Sequence, residues 1–202
     1  MSKGVQFLMK KNKIDVIDGF GKVKAGKKVD VTAEDGKVTE YSADNIIIAT
    51  GARSRVLPNL PQDGVKVIGY RQAMTLPSQP KSMIVVGSGA IGVEFASFYN
   101  SMGTDVTIVE FQPNIVPVED KDISKQFERS LKKAGIKIMT SSSVETIDTS
   151  GDGVKASVKT KKGEETLEAD ILLSAVGIKT NIENIGLEDV GIITDRDKIL
   201  VN

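Results

Sequence analysis

Between Ser82 and Glu110 the chain reads SMIVVGSGAIGVEFASFYNSMGTDVTIVE, and no other stretch leaves it so few ways to fold. The run Met83–Val86 is apolar and β-branched, the pattern of a strand buried on both faces. Gly87, Gly89 and Gly92 follow at once, the apolar segment from Ala90 has helical character, and DVTIVE (105–110) reads as a second strand. A strand that turns straight into a helix and returns as a strand is a βαβ unit, with parallel strands and a right-handed crossover. The three glycines at this spacing divide the work between them. Gly87 makes the tight turn out of the strand, Gly89 lets the backbone approach a ligand, and Gly92 lets the helix pack close on the sheet. Ser88, Ala90, Ile91, Gly92 and Val93 then form the loop and first turn around a helix N-terminus. Its N–H groups, lacking intrahelical acceptors, and the positive end of its dipole bind an anion without any basic side chain. In a chain with 19 glycines the bare spacing could arise by chance, and it is the strand before and helix after that give it weight. The ligand this predicts is a dinucleotide with its diphosphate on the helix.

The second strand ends in Glu110, eighteen residues after Gly92, close to where such units carry the carboxylate that accepts from the adenosine ribose hydroxyls. A 2′-phosphate there would meet a like charge about 4 Å away, at a cost of up to roughly 4 kcal/mol for an effective dielectric near 20. No arginine follows to reverse this, since the next residues are Phe111, Gln112 and Pro113. NAD is therefore expected over NADP. Glu94, in the first turns of the helix, would by itself do no more than favour the helix dipole.

Composition narrows the chemistry further. The chain of 202 residues has no cysteine and no histidine, which removes thiol nucleophiles, redox dithiols, disulfides and the commonest general base and metal ligand. Any redox chemistry must come from a bound cofactor, and nothing points to a metal. Lys plus Arg and Asp plus Glu both number 27, so the charge balance gives no reason to expect nucleic acid or an anionic membrane. The apolar runs are far shorter than the roughly 20 residues of a membrane span. The N-terminus, MSKGVQFLMKKNK, lacks a secretory pattern, so a cytoplasmic or organelle-matrix location is expected.

Around the central unit, the spacing of Val5, Leu8 and Met9 predicts a helix over 3–12. Short β-prone pieces follow at 14–17, 27–33 and 37–43, with Asp35-Gly36 as a hairpin turn. NIIIATGA (45–52) reads as a buried strand, and the proline-punctuated LPSQPKS (76–82) as a connection between domains. Helices are expected at 90–102 and 121–134, the second burying Ile123, Phe127 and Leu131 and ending at Gly135, with a third strand at 136–139. Residues 143–169 alternate and turn at Gly151, Gly153 and Gly163, as in a small antiparallel meander, and DILLSAVG (170–177) reads as another buried strand. The class is α/β: a parallel sheet with an antiparallel β-meander. The expected divisions are 1–80, 81–180 as the nucleotide-binding domain, and a weakly patterned tail at 181–202.

The segments IIIATGA, MIVVGSGAIGVEFASFYNSMGTDVTIVE and LLSAVGIKTNIENIGLEDVGI, in this order, resemble the flavoprotein disulfide reductases, and within them the dihydrolipoamide-oxidising branch. The resemblance implies a Rossmann-like FAD/NAD-linked reductase fold, with residues 1–80 forming the C-terminal portion of an incomplete FAD-binding domain and 181–202 leading back towards it. It places Gly19, Thr50, Gly51 and Ala52 against FAD. Gly87 to Glu94 would bind NAD, with Glu94 towards the nicotinamide and Glu110 on the ribose. Val144 and Gly177 match positions lining the adenine and nicotinamide sides of the pocket, although an apolar residue such as Val144 equally suits core packing. Many relatives have Arg and Pro where this chain has Ile178 and Thr180. The family's own FAD glycine motif, redox cysteine pair and His-Glu pair have no counterpart here, so the chain is expected to be an internal portion of a longer enzyme and inactive alone. The full-length protein implied takes electrons from a lipoyl carrier domain of a 2-oxo-acid dehydrogenase or glycine-cleavage system, works as a homodimer, and passes electrons through a disulfide and FAD to NAD. An NADH oxidase or another reductase of this architecture is the alternative, and a non-catalytic NAD-binding module is the alternative of a different class.

Overall fold

The computed structural model describes residues 2–201, and contacts divide them into two units: one up to Ala52 and from Thr180 onward, the other Arg53–Lys179. The first begins with α1 (Ser2–Lys11), where Val5, Phe7 and Leu8 are exposed. Strands β1 (Phe20–Lys24), β2 (Lys28–Thr32) and β3 (Val38–Ser42) form an antiparallel meander in that order. The Asp35-Gly36 hairpin lies between β2 and β3, with Gly36 at φ +82° and the Asp35 carboxylate accepting from Lys37 N–H at 2.9 Å. The β-prone piece at 14–17 is not a strand; the pairing starts at Phe20.

The larger correction concerns residues 45–52. Asn45–Gly51 has no strand assignment, and Ile47 is 90% exposed. β-branched composition measures fit to a pleated, half-buried surface rather than an intrinsic backbone preference, and the run finds no ladder among the described residues.

The chain passes into the second unit along β4 (Ala52–Ser54), followed by β5 (Val67–Ile68) and the single turn α2 (Tyr70–Ala73). It continues with β6 (Ser82–Val86), α3 (Ala90–Ser101), β7 (Asp105–Val109), α4 (Lys121–Lys133) and β8 (Lys137–Met139). Next come β9 (Ser143–Asp148), β10 (Val154–Thr160), β11 (Gly163–Ala169), β12 (Ile171–Ser174) and β13 (Ile178–Thr180). The tail carries a 3₁₀ turn at Glu188–Val190 and the small hairpin β14 (Thr194–Asp195) and β15 (Lys198–Ile199).

Five strands, in the order β5-β12-β6-β7-β8, make a wholly parallel sheet. Its alternation explains the MIVV run. Met83 and Val85 join Val106, Ile108 and Leu173 against Val93, Ala96 and Tyr99 of α3 and Leu131 of α4. Ile84 and Val86 join Val109 and Leu172 against Val144, Val154, Ala156 and Val158 of the antiparallel β9-β10-β11 meander. The sheet thus lies between a helical layer and a meander layer, each face apolar for its own reason.

Two expectations shift. Residues 53–80 group with the parallel sheet rather than with the N-terminal segment, because Val67 and Ile68 pair with Leu172 and Leu173 and Leu60 is buried in the same core. In α4, Leu131 is buried and Phe127 partly so, but Ile123 is 62% exposed. Ser124 takes the inward position, its hydroxyl donating to Val116 O, so the buried face runs 124, 127, 131. Asp120 caps this helix by accepting from Asp122 and Ile123 N–H, and Gly135 follows it at φ +99°.

Candidate functional site

The turn from β6 into α3 is built by the first and third glycines, each against backbone. Gly87 has φ +98°, and a Cβ on it would lie 2.5 Å from Ala175 O. On Gly92 a Cβ would lie 2.0 Å from Gly87 O, which is how closely the helix approaches the loop. Gly89 differs: its φ of −66° suits any residue, and a Cβ there would meet nothing within 4 Å. The open space stands in front of the α3 N-terminus, where Gly89 is the N-cap and no side chain caps the helix. The first intrahelical bond is Val93 N–H to Gly89 O, leaving the amides of Ala90, Ile91 and Gly92 ahead of it. This is the donor arrangement that binds a phosphate.

Glu110 follows β7 at the C-terminal edge of the sheet and is only 6% exposed. Its Oε2 accepts from Ser88 N–H at 2.7 Å and from the Ser88 hydroxyl at 2.6 Å, and its Oε1 from Gln112 N–H at 2.7 Å. The backbone is tied as firmly, Glu110 N–H donating to Met139 O and its carbonyl accepting from Ser142 N–H. A buried carboxylate is tolerated here because three donors replace its water.

Gly87, Ser88, Gly89, Glu110, Val144 and Gly177 line one cleft of ≈ 580 Å³. It opens at the carboxyl ends of β6, β7 and β12, the position where open parallel sheets bind ligands. Val144 is 6% exposed, so it both packs in the meander-side core and forms a wall of the cleft. Gly177, at φ +113°, has its carbonyl held by Arg55 N–H at 3.0 Å. Of the other expected residues of the loop and helix, Ala90, Ile91, Gly92, Val93 and Glu94 are not in the lining. The Val93 side chain packs on the sheet, and Glu94 is exposed one turn along α3.

Several lining residues were not expected. Leu57, Asn59 and Leu60 come from the loop between β4 and β5, around Pro58, and Asn59 Nδ2 donates to Val144 O at 2.8 Å. Phe111 and Val118 stand at the lip, 74% and 89% exposed. The available sequence clue was Phe111 standing directly after Glu110.

Gly19, Thr50, Gly51 and Ala52 belong to the first unit. Glycine at 19 is demanded by the fold itself, since at φ +151° a Cβ would lie 2.6 Å from Thr32 O. Asn181 holds the other segment, its N–H donating to Gly51 O and its Nδ2 to Thr50 O. Among the described residues no helix is long and apolar enough to cross a membrane.

The chain is 44% identical over 217 residues to a dihydrolipoyl dehydrogenase of Rhizobium etli, an alignment covering all of this chain and 45% of that protein. Among solved structures, LpdA of Mycobacterium tuberculosis superposes with a TM-score of 0.84 at 31% identity, over 97% of this chain and 43% of that one. The HOCl-induced flavoprotein disulfide reductase RclA of Escherichia coli matches with a TM-score of 0.78 at 29% identity, over all of this chain and 47% of that one. The chain therefore spans less than half the length of these relatives. A family model described as pyridine nucleotide-disulphide oxidoreductase matches residues 1–202 throughout, and the chain belongs to that family.

Proposed function

We propose that the second unit binds NAD in the Gly87–Glu110 cleft, as the pyridine-nucleotide portion of a dihydrolipoyl dehydrogenase. The observation that carries this reading is the open space at Gly89, set between an uncapped helix N-terminus and a buried carboxylate. The diphosphate takes the α3 amides, one ribose takes the remaining acceptor capacity of Glu110, and the adenine lies against the apolar lip of Phe111 and Val118 with Val144 behind. Gly177 and Glu94 serve the nicotinamide end. NAD when bound supplies the hydride-accepting ring; the chain supplies anion binding, orientation and selectivity.

In the whole protein the reaction is dihydrolipoyl plus NAD⁺ to lipoyl plus NADH and a proton, with FAD between the dithiol and NAD. The first unit, through Gly19 and Thr50–Ala52, contributes to the FAD side, and a lipoyl carrier domain and a second copy of the enzyme are the partners. The 202 residues hold no cysteine, so they cannot supply the dithiol and turn nothing over by themselves. The likeness to RclA, with Ile178 and Thr180 beside Gly177, favours a second reading as another reductase of this architecture.

Titration calorimetry of the chain with NAD and NADP tests the nucleotide assignment. The expected result is one NAD site and at least about tenfold weaker NADP, from like charge at Glu110. Equal affinities, or no binding of either, would sink it.

A further inference from the structure

Ser88 is fully buried, and all of its polar groups are spoken for. Its N–H and its hydroxyl both donate to one oxygen of Glu110, and its carbonyl accepts from Val116 N–H at 3.0 Å. Val116 itself is a buried β-branched residue at φ +39°, and its carbonyl in turn holds the Ser124 hydroxyl. The hydroxyl of Ser88 therefore points away from solvent, towards the acid that faces the cleft.

We infer that Ser88 is a positioning residue that sets nucleotide selectivity by fixing the Glu110 carboxylate. The inference rests on the NAD reading above. A carboxylate offers about four lone-pair positions, and three are taken, two on Oε2 by Ser88 and one on Oε1 by Gln112. Turning the group away from the cleft breaks both Ser88 bonds together, so the negative charge stays where it is when a 2′-phosphate arrives. One acceptor position is left, enough for a ribose hydroxyl and useless to a phosphate. The backbone N–H alone would leave a single bond at Oε2, and the carboxylate could swing aside to admit NADP. The serine hydroxyl makes the selectivity rigid rather than merely electrostatic.

The test is a double-mutant cycle on the 202-residue chain, with Ser88→Ala, Glu110→Gln and the pair, reading NAD and NADP affinity by calorimetry. Ser88→Ala is expected to lower the NADP-to-NAD ratio of dissociation constants by about tenfold, the worth of one hydrogen bond to a charged group. On the Glu110→Gln background the same change is expected to leave the ratio where it stands, because there is no fixed charge left to position. If Ser88→Ala does not fold, Ser88→Gly keeps the amide, removes the hydroxyl and carries the same test. A selective wild type whose ratio Ser88→Ala leaves unchanged overturns the role of Ser88 alone. A loss of both affinities in equal proportion, on either background, shows a structural role only and overturns it too. Equal affinities in the wild type overturn the assignment of Glu110, and that of Ser88 with it.

Discussion

Replacing Gly92 by alanine puts one methyl group between two stretches of backbone. The added carbon would sit 2.0 Å from Gly87 O and 3.0 Å from Gly87 C. Ordinary non-bonded contact is about 3.5 Å, so the loop or the helix must move by more than about 1 Å. The loop has no room to retreat. Gly87 lies so close to Ala175 that a Cβ of its own would be 2.5 Å from that carbonyl, and its N–H is bonded to Val109 O at 2.9 Å. Nor can α3 lift freely, because Val93, Ala96 and Tyr99 are locked into the sheet's helical face. Overpacking of this kind costs about 3 kcal/mol when the neighbour is backbone. The better helix propensity of alanine returns about 1 kcal/mol. The net expectation is a loss of about 2 kcal/mol, roughly thirtyfold in the folding equilibrium. Urea denaturation followed by helical circular dichroism would show a midpoint lower by about 1 M, for a slope near 2 kcal/mol per molar. A midpoint that stays put or rises would mean that propensity outweighs the contact, and the close-packing account of Gly92 would be refuted.

Gly89→Ala should do the reverse, leaving the denaturation midpoint within the equivalent of about 0.5 kcal/mol while weakening NAD at least about tenfold in calorimetry. A normal affinity would show that the space in front of Gly89 is not where the diphosphate lies. Asp63 gives a pH signature: burial pushes its carboxyl up, but the N–H groups of Val65, Val67 and Lys66 outweigh this and hold it below the usual aspartate value. A lowered folded value means that the stabilisation is complete above the unfolded value of about 3.9 and is lost as pH falls through the folded one. The melting temperature of wild type should therefore exceed that of Asp63→Asn at neutral pH, and the gap should close below the ordinary aspartate range. A gap independent of pH would refute the role of the charge.

The central βαβ unit was legible because its constraints are local. Glycines, strand, helix and acid lie within 29 consecutive residues, and each has one geometry that satisfies it. Other readings failed where the answer depended on distant neighbours. Asn45–Gly51 has the composition of a buried strand, but a strand exists only if another lies beside it. Ile123 fits an apolar four-residue interval, yet the inward place went to Ser124, whose buried hydroxyl finds an acceptor in Val116 O. Asn59 carries no local sign that it will reach Val144, which is 85 residues away along the chain. The clamp on Glu110 was hidden for a similar reason: sequence spacing brought acid and loop together but could not say that the hydrogen bonds between them were already made.

The alternation along β6 and β7 divides labour between adjacent residues. Val86 and Val109 form part of the cleft wall, whereas Val85 and Ile108, one step back on the opposite face, are the seat on which α3 rests. Moving one position along either strand exchanges the meander face, where the cleft lies, for the helical face. Variation among apolar residues at 86 and 109 can thus reshape what the cleft accepts without unsettling the helix, and variation at 85 and 108 can loosen the molecule without redrawing the cleft.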